Sequence, residues 1–288
     1  MRAILRKLPL PIKHQIKRFI YRFFPPKHLP SFSQSVDPDI YIISFPKCGR
    51  TWLRVMLSKA LAMHLGISDP TPFLAGDTIT IPNIPAIKFS HDDQANLKTP
   101  EELSTSKSKY KNKKVIFLVR DIRDVIVSYY FELTKRNVVN PHYQQYQGNL
   151  SSFLRYKQGS VDTIIRYYNI WAENQHVPAD FLLIRYEDIH NQPEKELRRV
   201  LDFIGLPSIS DKIDGEAVRY ASFDNMHKME ESTSVDSFKL QPGDKQDPES
   251  YKTRRGKIHG FTDYLSQDDI EYLDKKIHTE LIDYFGYR

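Results

Sequence analysis

Four short apolar runs constrain the fold of this chain more than any other feature: Tyr41–Phe45, Ala86–Phe89, Val115–Val119 and Phe181–Arg185. A strand with one face in water alternates apolar and polar residues, but a run such as Val115-Ile-Phe-Leu-Val119 is apolar throughout. Such runs read as strands buried on both faces, the habit of a parallel sheet covered by helices. Helical patterns lie between and after them, at about residues 50–65, 122–136, 151–175, 193–204, 211–221 and 266–285. The last is the clearest. Ser266 and Asp269 give it a capping-box-like start, and Ile270, Leu273, Ile277, Leu281 and Tyr284 form its apolar stripe. Strands alternating with helices predict an α/β fold, a three-layer sandwich around a central, mainly parallel sheet.

The chain has 288 residues, 40% of them apolar, enough for one large α/β domain, which we place at residues 37–288. Residues 1–36 form a separate basic segment. Of the 42 Lys and Arg residues, eight fall within residues 1–30, which contain none of the 36 Asp and Glu. The remaining 34 basic residues are balanced by those 36 acidic ones, so the body is close to neutral and a nucleic-acid partner is not expected. Ile12, Ile16, Phe19, Ile20 and Phe23 recur at helical spacing, with Lys13, Lys17, Arg18 and Arg22 on other faces, before Pro25-Pro26 ends the pattern. Residues 11–24 thus read as a basic amphipathic helix, suited either to peripheral contact with anionic lipid or to docking on the domain. The sequence shows neither a membrane span nor a secretory h-region. With Cys48 the single cysteine, an intramolecular disulfide and a multi-cysteine zinc site are excluded, and a cytoplasmic setting is expected.

Two strand ends carry the chemistry. The first is Tyr41-Ile-Ile-Ser-Phe-Pro-Lys-Cys-Gly-Arg-Thr-Trp52, a buried strand running into a Pro/Gly loop and then a helix. Such a P-loop-like junction aims backbone N–H groups and the positive end of a helix at one spot, and Lys47 adds a full charge. The loop lacks both the first Gly and the Gly-Lys pair of a Walker A motif, which disfavours ordinary ATP or GTP binding. The second is Val115–Val119 followed by Arg120, with Ser128 eight residues further on in a helix. A guanidinium at the carboxyl end of a parallel strand offers a planar fork for phosphate at the usual ligand crevice.

At these residues the chain resembles the sulfotransferases that use 3'-phosphoadenosine 5'-phosphosulfate (PAPS), and the resemblance spans about residues 40–265. Lys47, Gly49, Thr51 and Trp52 match the family's 5'-phosphosulfate loop, Pro-Lys-x-Gly-x-Thr-Trp, with Cys48 and Arg50 in place of the common Ser and Thr, and the resemblance implies that the loop as a whole, Cys48 and Arg50 included, binds the cofactor. The resemblance implies that Lys47 contacts the bridging oxygen of the leaving phosphate, Thr51 a phosphate oxygen and Trp52 the adenine. Arg120 and Ser128 match the 3'-phosphate motif, with Arg123 as an assistant. Arg254-Arg-Gly256 resembles the family's Arg-Lys-Gly motif, which places Arg254, Arg255 and Gly256 at the same phosphate. Tyr186, in Tyr-Glu-Asp, is implied to reach the adenine or a phosphate, and Phe223, in Ala-Ser-Phe, to complete the adenine stack. His91, in Lys88-Phe-Ser-His91, resembles the family's base. Here the lysine stands three residues before the His instead of two, so its helping role does not carry over.

The expected reaction is in-line transfer of a sulfuryl group from PAPS, as co-substrate and without a metal, to a hydroxyl or amine of a small-molecule, lipid or carbohydrate acceptor. His91 takes the acceptor proton, since imidazole titrates near working pH. His142, His227 and His259 lack its placement at a strand end. The competing readings are a P-loop-like phosphotransferase, which needs a Walker A loop and an acidic Mg²⁺ ligand, and a non-catalytic nucleotide-binding protein, which needs neither Lys47 nor His91. From Lys228 to Lys257 periodicity fails for some 30 residues, the length and composition of a loop that covers a site.

Overall fold

The computed structural model describes residues 36–136, 146–207, 210–232 and 240–288. The amphipathic pattern at residues 11–24 and His142 lie outside them. The elements run β1 (Ile40–Ser44), α1 (Arg50–His64), β2 (Thr78–Ile81), β3 (Ile84–Ser90), β4 (Lys114–Val119) and α2 (Ile122–Phe131), which continues into a π-helical turn (Glu132–Arg136). Then follow α3 (Leu150–Leu154), α4 (Val161–Glu173), β5 (Asp180–Arg185), α5 (Tyr186–Asn191), α6 (Pro193–Phe203), α7 (Asp211–Tyr220), α8 (Phe223–Glu231) and α9 (Gln267–Glu280).

All four apolar runs are strands of one five-stranded sheet, ordered β2-β3-β1-β4-β5. The pairs β1–β3, β1–β4 and β4–β5 are parallel, with Ile42 opposite both Phe89 and Ile116, and Ile116 opposite Leu182. The apolar character of β1 and β4 has its cause here, because Ile42, Ile43 and Val115 through Val119 are all fully buried between helices. One set of packed helices is α1 with α6 and α7; another is α2 with α4 and α9. The fifth strand, β2, escapes the apolar-run criterion. Its Thr-Ile-Thr-Ile alternates in burial, as an edge strand should, and it pairs antiparallel with β3 across a turn in which Asn83 takes φ 65°.

The pattern at 151–175 resolves into two helices, because between them the Gly159 N–H turns to the Lys98 carbonyl and Ser160 opens α4. The helix expected over 266–285 starts as read, with the Ser266 hydroxyl accepting from the Asp269 N–H, but it ends at Glu280. Beyond it Leu281, Phe285 and Tyr287 are buried, and the Tyr287 hydroxyl donates to Glu187 at 2.6 Å. Two short helices, α5 and α8, were not read from the sequence. The supposedly patternless stretch from Lys228 therefore begins inside α8, and its later part is packed, with Leu240, Ser250, Tyr251 and Thr253 buried.

Since β1, β3, β4 and β5 run the same way, their carboxyl ends come to one edge of the sheet. The loop at Pro46–Gly49, His91, Arg120 and Tyr186 leave from that edge.

Candidate active site

One cavity opens at this edge, and Lys47, Gly49, Arg50, Thr51, Trp52, His91, Arg120, Ser128, Tyr186, Phe223, Arg254, Arg255 and Gly256 all line it. Every residue singled out from sequence as catalytic or cofactor-binding lines it except Cys48 and the assisting Arg123. That side chain is fully buried, its sulfur 3.4 Å from the Tyr168 hydroxyl, and burial pushes its thiol pKa up to about 12. Any contribution of Cys48 to an anion at the loop comes from its backbone. Arg123 is a correction of the same kind. It bridges Asp121, at 2.7 Å, and Asp274, also at 2.7 Å, instead of facing the cavity.

The first loop is shaped by backbone. Lys47 adopts φ 75°, a conformation uncommon for a residue with a side chain, and Gly49 follows at φ 89° as the N-cap of α1. A Cβ at Gly49 would lie 2.6 Å from the Tyr186 ring, so glycine is required for backbone shape and for clearance alike. Close by, the Trp52 indole stands edge-on to the Tyr186 ring at 5.6 Å and donates to the Ala221 carbonyl at 2.9 Å. Phe223 is 43% exposed at the rim, with Gly256 so close that a Cβ there would fall 2.5 Å from its ring. These rings make an aromatic end that a planar base can enter.

Arg120 organises the next part. Its guanidinium lies over the Tyr186 ring at 4.2 Å and donates to the Lys47 carbonyl at 3.3 Å and the Lys257 carbonyl at 3.0 Å, tying together three separated segments. Its Nε is buried with no acceptor among the described residues, and the residue lines the cavity together with Ser128 and Arg254. Arg254 is held at 2.9 Å by Glu249 and lies over the Phe131 ring at 4.4 Å, while Arg255 reaches the Tyr264 hydroxyl at 3.1 Å and is more exposed.

At the other end stand the two groups expected to act. The His91 Nδ1 is 2.9 Å from the Ser44 carbonyl, which can only accept, so Nδ1 carries the proton. Nε2 is 2.6 Å from Nη2 of Arg50, which can only donate, so Nε2 presents its lone pair. Burial and the Arg50 charge hold the imidazole pKa well below its ordinary value, which keeps the ring neutral and basic in form. The Lys47 ammonium is bound to Glu132 at 2.6 Å, and Glu132 also accepts from Arg136 at 2.8 Å. Burial alone would raise the Glu132 pKa, but the charges of Lys47, Arg136 and Lys252 outweigh it and hold the carboxyl ionised, below the usual range.

Glu132, Lys252, Asp124 and His190 line the same cavity and were not found from sequence. A signal for Glu132 existed, since it follows Ser128 by one helical turn and so shares its face. The other histidines are accounted for elsewhere: His227 bonds the Thr253 hydroxyl at 2.9 Å, and the His259 backbone donates to Asp124 at 3.0 Å.

The sequence model of the sulfotransferase domain family matches residues 37–285 of this chain. Among curated proteins, flavonol 3-sulfotransferase of Flaveria bidentis is 23% identical, over 84% of this chain and 81% of its own length. Cytosolic sulfotransferase 12 of Arabidopsis thaliana is 25% identical, over 85% of this chain and 77% of its own. Among solved structures, a mouse sulfotransferase complexed with PAP superposes with a TM-score of 0.61 at 20% identity, over 88% of this chain and 87% of that one. Retinol dehydratase in complex with retinol and PAP gives 0.58 at 16% identity, over 88% and 84%.

Proposed function

This chain belongs to the sulfotransferase domain family, and we propose that it transfers the sulfuryl group of PAPS to a hydroxyl or amine of a small-molecule acceptor. The observation that carries the proposal is the pairing, in one cavity, of a neutral His91, whose Nε2 accepts from Arg50, with Lys47. A base without a nearby cation could deprotonate an acceptor but not discharge the leaving phosphate; the reaction needs both.

In this reading the adenine lies among Trp52, Tyr186 and Phe223. The 3'-phosphate meets the Arg120 guanidinium, with Ser128, Arg254 and Arg255 beside it, and the phosphosulfate lies on the loop from Lys47 to Thr51. Lys47 leaves Glu132 for the bridging oxygen, and Arg50 yields His91 Nε2 to the acceptor proton. The new S–O bond forms as the bond to the bridging oxygen breaks, and PAP departs with the electron pair. The rest is positioning and electrostatics, with no change of oxidation state. The flavonol sulfotransferase names among the relatives support an organic hydroxyl acceptor, and the cytosolic name supports a cytoplasmic setting. Calorimetry of the full chain with PAP and with AMP tests the donor: PAP should bind at least tenfold tighter. Equal affinities would remove the 3'-phosphate site from Arg120.

A further inference from the structure

Resting on the sulfuryl-transfer reading, the geometry points to Lys252 as a second catalytic cation, one that holds the sulfuryl oxygens while the group passes from donor to acceptor. Lys252 lines the cavity from the irregular segment two residues before Arg254, and it belongs to none of the motifs that marked the site. Its position is fixed through its backbone. The buried Glu230 carboxylate, on α8, accepts from the Lys252 N–H at 2.5 Å, from the Thr253 N–H at 2.9 Å and from the Thr253 hydroxyl at 2.7 Å.

Two facts bring Lys252 to the reacting group. It lines the same cavity as Lys47, Glu132 and His91, and its charge is felt at both His91 and Glu132. A group passing from Lys47 to His91 moves within that cavity. Second, the Lys252 ammonium makes no hydrogen bond or ion pair among the described residues, whereas Lys47 rests on Glu132 and Arg254 on Glu249. Burial and the charges of Arg136, Lys47 and Arg50 disfavour its protonated form, so an anion arriving there is met by a site that gains from it. No cation reaches this spot from β3, where the residue two before His91 is the buried Phe89, covered by Arg54 at 4.6 Å.

During transfer three sulfuryl oxygens share negative charge while S–O bonding passes from the bridging oxygen to the acceptor oxygen and the acceptor proton goes to His91. A donor aimed at those oxygens stabilises that state more than the bound ground state, and it makes no contact with PAP, which lacks them.

The test compares the wild type with Lys252→Met and Lys252→Arg, as full chains, for PAP affinity by calorimetry and for turnover of PAPS with a phenolic acceptor. Lys252→Met should lower kcat about 10²-fold with PAP affinity within about twofold of wild type, and Lys252→Arg should recover part of the loss. A Lys252→Met protein that turns over normally, or that loses PAP affinity in step with kcat, overturns the assignment, the second result by making Lys252 a phosphate ligand. If Lys252→Met does not fold, a Lys252→Arg turnover equal to wild type with weakened PAP binding overturns it as well. A wild type that fails to bind PAP sinks the sulfuryl-transfer reading itself, an outcome visible before any variant is made.

Discussion

The ion pair between Lys47 and Glu132 must break before Lys47 can serve a donor, so Glu132→Gln should tighten PAP binding. Both side chains are mostly buried, 9% and 12% exposed, and the N–O distance is 2.6 Å. A charge-assisted hydrogen bond of this kind is worth about 1.5–3 kcal/mol. The lower end applies, because Glu132 keeps Arg136 at 2.8 Å when Lys47 leaves. The Gln amide still accepts from Lys47, though more weakly, and it no longer repels the incoming phosphates. The net expectation is about tenfold tighter PAP binding, equivalent to about 1.4 kcal/mol. Isothermal titration at constant ionic strength measures it. The empty variant should also melt lower than wild type, since Lys47 and Arg136 lose a buried counter-charge, and it should gain more from added PAP. An unchanged or weaker PAP affinity in Glu132→Gln would refute the exchange of partners by Lys47.

Lys47→Ala should lower turnover by about 10²-fold or more, because the charge on the leaving oxygen is lost, as single-turnover kinetics with saturating PAPS will show. Gly49→Ala should abolish PAP binding in a folded protein, since the added methyl falls 2.6 Å from the Tyr186 ring at φ 89°; near-normal calorimetric affinity would contradict the cavity's shape. His91 has its folded pKa well below the ordinary value of 6.5, so it stays a base as pH falls through 6.5, and kcat/KM for PAPS should show no acidic limb there. By the same shift the unfolded chain takes up a proton that the fold excludes, so the His91 contribution to stability falls as pH drops below 6.5, and His91→Gln should flatten that part of the denaturation profile.

The sheet was legible because its strands are buried on both faces, which writes Val115 through Val119 as an unbroken apolar run. β2 was not, because an edge strand of four residues alternates too briefly to stand out. The phosphate-binding residues were legible because backbone shape imposes local spacing on them: Gly49 must sit two residues after Lys47, and Ser128 must share a cavity with Arg120 at the start of α2. Lys252 had no such signature: its place depends on α8 presenting Glu230 to the segment before Arg254, a product of tertiary packing, whereas Glu132 follows Ser128 by one helical turn and carried a local signal. The same holds for Cys48, whose position in the motif suggested a ligand while packing against Tyr168 turned its side chain into the core.

The central claim, sulfuryl transfer with His91 as base, is tested most directly by PAPS labelled in its sulfuryl group, offered to the wild type and to His91→Ala with a panel of phenolic, sterol and sugar acceptors. The account predicts label on an acceptor with equimolar release of PAP by the wild type. His91→Ala should bind PAP as tightly and transfer none. No transfer by the wild type to any acceptor while PAP binds tightly, or transfer by His91→Ala at a near-normal rate, would contradict it.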